Sequence, residues 1–326
     1  YSGIGTFAGP RTPGSAYIIM HHVMGEHAGA GGWGFVRGGM GTITQAIAAY
    51  GRGKGLQIRT NSAVASIDTT AGRATGVTLA DGTRIEAGIV ASNVSAKLTF
   101  LEFLPESALP AELVRDVKAY RTFSTAFKIN IACERLPQYR AFDPAVCGFP
   151  YPTYTHVGPT IEYLERAYDD AKWGDWSRDP FITPVAPSFV DDTIAPTAKH
   201  VVHLFGGHAP HTLKDGDWET RKPDFVKNVL RVMDEHAPGF SDDIIGMQVL
   251  TPPDIEAKIG SPHGHIFHGE LNIDQLFFAR PAPHWADYRT PLKGLYQCGS
   301  SAHPGGGVGG VPGHNAAREI LRDLGK

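Results

Sequence analysis

Cysteine is nearly missing from this chain. Three are present in 326 residues, at Cys133, Cys147 and Cys298, and no two stand as Cys-x-x-Cys. That leaves no disulfide framework, no zinc ribbon and no dithiol redox centre, and reads as buried, reduced thiols in a reducing compartment. An excess of charge of either sign is missing too. Thirty basic and thirty-three acidic side chains give −3, too even for a nucleic-acid footprint. No apolar run approaches ~18 residues, so no membrane-spanning helix is expected. His-Glu-x-x-His and Gly-x-Ser-x-Gly are absent, and Gly299–Ser–Ser–Ala lacks the closing glycine of a nucleophile elbow. Hydrolase chemistry is disfavoured.

What is abundant is glycine and proline, 39 and 24 residues, which imply short elements and many turns. Hydrophobic residues make up 42% and charged residues 19%, an ordinary globular composition. The length suits two domains, or one large domain with an insertion. The chain begins Tyr1–Ser–Gly without methionine or the pattern of a signal peptide, and is expected to be the C-terminal part of a longer protein.

Residues 1–37 read as loop-rich, with a glycine cluster at Gly29–Gly34. Gly38–Gly–Met–Gly41 opens a helix over Thr42–Tyr50, stopped by Gly51, Gly53 and Gly55. Extended segments are expected at Leu56–Thr60 with Ala63–Ile67, at Ala74–Leu79 and at Arg84–Ala91, with Asp81–Gly82 as a hairpin turn. Pro110–Tyr120, Thr160–Trp173 and Asp224–His236 read as helices, and Pro252–Ile259 as a short one. Phe123–Cys133 alternates as a strand, with Phe127, Ile129 and Ile131 on one face and Lys128 and Asn130 on the other. Lys199–Phe205 and Ile244–Leu250 are further strands. The fold class is a layered α/β or α+β mixture.

The C-terminus carries the most pointed signal. Gly294–Cys298 reads as a short buried strand, Gly299–Gly313 as a glycine-dense loop, and His314–Leu324 as a helix. Glycine lets backbone approach a planar or anionic ligand closely, and a helix N-terminus favours negative charge. Together they point to a large phosphorylated cofactor. Gly305-x-Gly307-x-x-Gly310 and Gly3-x-Gly5-x-x-Ala8 fit the dinucleotide fingerprint only literally. Pro312 and the chain end spoil the first; Pro10, Pro13 and the missing strand spoil the second. Arg37, before the glycine helix start, suits a phosphate or flavin and a surface ion pair equally well.

Fifteen histidines include two groups, His203 with His208 and His211, and His263 with His265, His268 and nearby Glu270. Neither has a recognised metal spacing, and no metal is expected. Asp191–Asp192 and Asp242–Asp243 read as turn or capping carboxylates.

Gly38–Gly–Met–Gly41 with its helix, the Asp81–Gly82 hairpin running into Val90–Ala–Ser–Asn93, and Gly294–Gly313 resemble the phytoene desaturase and carotenoid isomerase-like FAD-dependent oxidoreductases. Pro13–Gly–Ser–Ala–Tyr17, Thr251–Glu256, His265–Leu271 and Asp274–Gln275 are similar to its pyridine nucleotide-disulfide oxidoreductase domain-containing protein 2 branch. The resemblance implies a partial FAD-binding Rossmann-like domain plus a substrate domain with a mixed or antiparallel sheet and helices. It makes 1–37 a lead-out, 38–104 and 289–326 FAD-domain segments, and 105–288 the substrate domain, with the first FAD-binding βαβ unit absent. Arg37, Gly38, Gly39 and Met40 would border the cofactor, with Val64 at its adenine end. Gly299 and Ser300 would lie near the pyrophosphate or ribityl chain, and His303, Gly307, Val308, Gly310 and Val311 near the isoalloxazine.

The implied activity is hydride abstraction from an apolar, isoprenoid-like substrate, with no protein nucleophile required and no catalytic residue identified. This piece by itself is expected to be inactive. The expected partner is that small molecule, without nucleic acid and with at most peripheral membrane contact. The expected location is cytoplasmic in a bacterium, with an organelle such as the mitochondrion open in a eukaryote, and not secreted. Two alternatives stay open: a non-catalytic binding or regulatory protein that keeps the flavoprotein fold, and an amine-oxidase-type flavoenzyme.

Overall fold

The computed structural model describes residues 4–23 and 34–326. Gly3 and most of the Gly29–Gly34 cluster lie outside the described residues. In chain order the structure runs through α1 (Tyr17–Val23), α2 (Gly41–Gly53), β1 (Val64–Thr70), β2 (Arg73–Leu79), β3 (Arg84–Glu86) and β4 (Val90–Ser92). α3 (Ala111–Ala119), β5 (Phe127–Cys133), α4 (Pro144–Cys147), α5 (Ile161–Lys172), β6 (Ile182–Val185) and β7 (His200–Gly206) follow. The chain closes with α6 (Trp218–His236), β8 (Ile244–Leu250), α7 (Pro252–Ile259), β9 (Leu295–Gln297) and α8 (Val311–Asp323).

Two compact units result, residues 1–58 with 125–254, and 59–124 with 255–326. These junctions of packing fall elsewhere than 37/38, 104/105 and 288/289, the functional boundaries that the family resemblance implies.

The first unit is built on an antiparallel sheet ordered β6-β7-β5-β8. Ile129 pairs with Leu204 and Val249, and Ile131 with Val202 and Met247, so these six share one face. Phe127, Ile129 and Ile131 are at most 1% exposed. They pack with Phe225, Val229, Val232 and Met233 from α6 in one hydrophobic cluster. The Phe127 and Phe225 rings meet edge to face at 4.9 Å, and Trp218 meets Phe225 the same way at 5.1 Å. α6 begins six residues before the expected Asp224, because the Asp217 carboxylate accepts from the Thr220 N–H at 2.8 Å and caps the helix there. Pro223 is carried inside the helix instead of opening it.

The second unit holds a meander, β1-β2-β3, and a two-stranded parallel pair, β4-β9. β2 and β3 form the hairpin expected around Asp81–Gly82. Arg84–Ala91 is not one strand. It divides at Ala87–Ile89, so that β3 serves the meander and β4 pairs with β9 through Val90–Leu295, Ala91–Tyr296 and Ser92–Gln297. Leu56–Thr60 stays irregular, and α1 forms within the stretch expected to be loop. Phe100, Leu104, Leu113, Val114 and Val117 pack with Leu292 and Leu295 as this unit's main core. Cys133 is buried as expected; Cys147 is exposed, because the short α4 presents it at the surface.

Ile129 and Asp217 separate the two supports of the first unit. Equilibrium urea unfolding is expected to show a loss of about 2–5 kcal/mol for Ile129→Ala, from lost burial and the cavity left behind. Asp217→Ala should cost about 1 kcal/mol, the worth of one helix cap.

Candidate functional site

The loop after β9 is held on three sides within its unit. The Cys298 N–H donates to the Ser92 carbonyl at 2.8 Å, extending the β4-β9 pairing by one bond. A Cβ on Gly299 would stand 2.1 Å from the Asn93 carbonyl oxygen, and one on Gly306 would stand 2.1 Å from the Phe267 ring. Only glycine fits at those two places. Ser301 Oγ accepts from the Ala96 N–H at 2.9 Å. At the far end, Asn315 of α8 donates to the Tyr288 hydroxyl at 2.8 Å, and that hydroxyl donates to the His303 carbonyl at 2.9 Å.

Beneath the loop lies Arg280, 0% exposed. Its guanidinium donates to the Ser300 carbonyl through Nη2 at 2.7 Å and Nε at 3.1 Å. It also donates to the carbonyls of Phe267 at 2.8 Å, Glu270 at 3.2 Å, Gly269 at 3.3 Å and Gln275 at 3.5 Å. One rigid fork thus ties the glycine loop to residues 267–275. Tyr120 faces the guanidinium carbon at 5.8 Å from its ring centroid.

Residues 267–275 are fixed from the other side by Arg121. Its N–H donates to Gln275 Oε1 at 2.8 Å, Gln275 Nε2 returns a bond to the Arg121 carbonyl at 3.0 Å, and its guanidinium grips Asp274 at 2.6 and 2.9 Å. Glu270 sits between, 3.5 Å from Arg121 Nε and accepting from Asn272 at 2.5 Å. Burial outweighs these partners and pushes its carboxyl up to about 7.

Three histidines nearby are less basic than usual. Burial pushes His265 down to about 3, with Arg280 contributing; its Nδ1 accepts from the N–H groups of Phe267 and Gly269 at 3.2 Å each. Burial and then the Arg280 charge lower His268 and His303 as well. Among the described residues no three His, Cys, Asp or Glu side chains are placed to hold a metal ion.

The expected cofactor residues fall into two groups. Val64, Gly299, Ser300, His303, Gly307, Val308, Gly310 and Val311 belong to the second unit. Val64 starts β1, away in sequence from the loop, while the other seven line the turn from β9 to α8. Gly307 to Gly310 are exposed, and nothing stands within 4 Å of where a Gly310 Cβ would be. Arg37, Gly38, Gly39 and Met40 belong to the first unit. There the Arg37 guanidinium pairs with Asp192 at 2.7 Å and the Gly38 N–H donates to Asp191 at 2.6 Å. Those carboxylates take up the two donors an anion would use.

The second-unit loop suits a flavin nucleotide. At Gly309 and Gly310 the loop is open, and His314 N–H is the first in α8 to close on a backbone carbonyl, that of Gly310, leaving the N–H groups of Val311 and Gly313 ahead of the ladder. Among the described residues, buried polar atoms of Gln297, His268 and His303 find no hydrogen-bond partner. Such groups fit a ligand rich in carbonyl, hydroxyl and phosphate oxygens. Arg280 went unread in the sequence. Glu270, Asp274 and Gln275 stood in the branch-specific stretch, without any hint of their role.

The family described as flavin containing amine oxidoreductase matches residues 3–178. Pyridine nucleotide-disulfide oxidoreductase domain-containing protein 2 of Mus musculus is 42% identical over 98% of this chain and 57% of its own length. A lycopene-forming phytoene desaturase of a Paracoccus species is 27% identical over 97% of this chain and 60% of its own. The chain therefore spans roughly three fifths of these relatives. Among solved structures, an oxidoreductase of Methanosarcina mazei superposes with a TM-score of 0.54 at 18% identity, covering 88% of this chain and 55% of its own. Cyclohexylamine oxidase of Brevibacterium oxydans gives 0.52 at 16%, covering 88% and 53%. These two likenesses concern fold.

Two outcomes check the site's construction. Arg280→Met leaves the carbonyls of Phe267, Gly269, Gln275 and Ser300 without this donor, the Glu270 carbonyl keeping Gln275 Nε2, and is expected to cost about 3 kcal/mol or more in urea unfolding, with Arg280→Lys failing to restore it because three donors on one nitrogen cannot replace the fork. Glu270 binds its proton more tightly folded than unfolded. Its contribution therefore favours the fold at low pH and is lost as pH rises from about 4.5 to about 7. Between pH 5 and 8 the wild type should lose up to about 3 kcal/mol through this group, and Glu270→Gln should remove that part of the pH dependence.

Proposed function

Because this chain belongs to the flavin-containing amine oxidoreductase family, whose cofactor is FAD, we propose that it carries the substrate-bearing and returning cofactor segments of an oxidoreductase acting on an apolar, isoprenoid-like molecule. The observation that carries the reading is the turn from β9 to α8, an open glycine cradle pinned from below by Arg280. Gly299 and Ser300 would hold the pyrophosphate or ribityl chain, and His303 to Val311 the ring. FAD, when bound, accepts a hydride from the substrate. The protein's share is orientation and exclusion of water. Arg280 fixes the Ser300 carbonyl, and Tyr288 fixes that of His303. The permanent charge of Arg280 favours negative charge on a group held above it. His268 and His303, kept neutral, offer lone pairs or N–H groups without adding charge. The antiparallel sheet of the first unit would form the substrate side, with α6 as its outer support.

An amine-oxidising activity is the second reading. The family's description favours it, and the phytoene desaturase relative favours the first. A substrate screen with amines and with polyene hydrocarbons separates them.

The test is flavin content. This chain is mixed with FAD, freed of excess and examined by visible absorbance. The expected outcome is bound flavin with a shifted, structured spectrum. Gly309→Leu adds bulk beside Val311, where a Cβ meets only ordinary contact at 3.6 Å. It should fold normally by circular dichroism and bind FAD about tenfold or more weakly. Equal flavin binding by the two proteins removes the cradle from the proposal.

A further inference from the structure

The face of the first unit's sheet that α6 leaves uncovered has a chemistry of its own. Lys128, Asn130, His203, Phe205, Gln248 and Leu250 share it by strand register, and all are half-buried or exposed. Across its middle runs a polar ladder. Asn130 Nδ2 donates to Gln248 Oε1 at 3.1 Å, and Asn130 Oδ1 meets His203 Nδ1 at 2.9 Å. With its amide nitrogen turned to Gln248, Asn130 presents an acceptor to His203, so His203 Nδ1 is the donor. The ladder then ends at Gln248 with a free amide N–H₂ and at His203 with the Nε2 lone pair.

Lys128 stands beside this ladder, two residues before Asn130 and on the same face. In register it lies between Phe205 on β7 and Leu250 on β8. Gln248 is its diagonal neighbour on β8, within reach of a long side chain. No hydrogen bond or ion pair takes the Lys128 ammonium among the described residues. Burial lowers its basicity, with no acid acting against that. Burial, and after it the Lys128 charge, pushes His203 down to about 4. A half-buried cation between two apolar side chains and next to an outward amide donor is poorly solvated as it stands. It is matched by a carboxylate that brings its own hydrocarbon.

We propose that this face binds the carboxylate end of an amphipathic organic acid, with the Lys128 ammonium and the Gln248 amide donating to the carboxylate and with Phe205 and Leu250 receiving its hydrocarbon. The proposal rests on the assignment of this sheet to the substrate side, and it narrows the apolar substrate to one that ends in an acid. It also sets the face against a protonated amine, which Lys128 would repel.

Calorimetric titration of this chain with decanoate and with methyl decanoate, below their aggregation limits, tests it. The wild type is expected to bind decanoate about tenfold or more tightly than the ester, the worth of one charge-assisted contact. That ratio should fall near one in Lys128→Met and in Lys128→Gln, so that either folded variant decides. Lys128→Arg should keep most of the preference, and Gln248→Leu should lower it partway. A ratio near one in the wild type overturns the proposal, as does a ratio that survives the loss of the ammonium. Flavin retention measured on the same samples keeps the two readings apart. Lost acid preference with bound flavin sinks this proposal alone, and kept acid preference without bound flavin supports it while removing the glycine loop as a flavin site of this chain.

Discussion

Arg280 brings a positive charge to a place fully closed to solvent, and the carbonyls of Phe267, Gly269, Glu270, Gln275 and Ser300 turn towards it. A buried cation held this way forces its neighbours into register, because each carbonyl must lie in the plane of the fork. The glycine loop follows from that constraint. With Ser300 pinned, Gly299 is pressed onto Asn93 and Gly306 onto Phe267, where no larger residue fits. The histidines follow as well. Burial lowers the basicity of His265, His268 and His303, and a fixed cation a short distance away adds to it. Even Glu270, whose carbonyl serves Arg280, is held where its own carboxyl is hard to ionise.

The elements that the sequence made legible are those whose signal is local. Ile244–Leu250 and Pro252–Ile259 form as a strand and a helix with those bounds, a short apolar run and a proline start being local signals. Thr160–Trp173 differs only in that its first and last residues are the caps. Where the signal misleads, tertiary demand explains it. Arg84–Ala91 reads as one strand by propensity, yet its two halves pair with different neighbours, β2 and β9. Asp224–His236 reads as the whole helix, yet Asp217 caps it earlier.

The site divides the same way. Glycines announce a close approach of backbone, so the turn from β9 to α8 could be singled out by residue type. Arg280 could not, because its partners are carbonyls, which every residue carries. A guanidinium that binds main chain leaves no acidic partner to look for in the sequence. Arg37 shows the converse. Its position beside glycines suits a phosphate or an ion pair equally, and only the fold brings Asp192 to within 2.7 Å.

Arg280 and Lys128 show how the surroundings of a cation separate support from recognition. Both carry their charge into partly or wholly desolvated ground, where a charge must be compensated. Arg280 is surrounded by carbonyl dipoles that the fold itself supplies, so its demand is met before any ligand arrives, and its removal damages the loop. Lys128 has two apolar neighbours in register and a single outward amide nearby, so the fold itself leaves its demand open. A carboxylate bound there would meet it and leave the ladder from His203 to Gln248 intact. The same sheet that buries Phe127, Ile129 and Ile131 on one face can therefore keep its other face for a charged end group, because alternation along β5 separates the two sets of side chains completely.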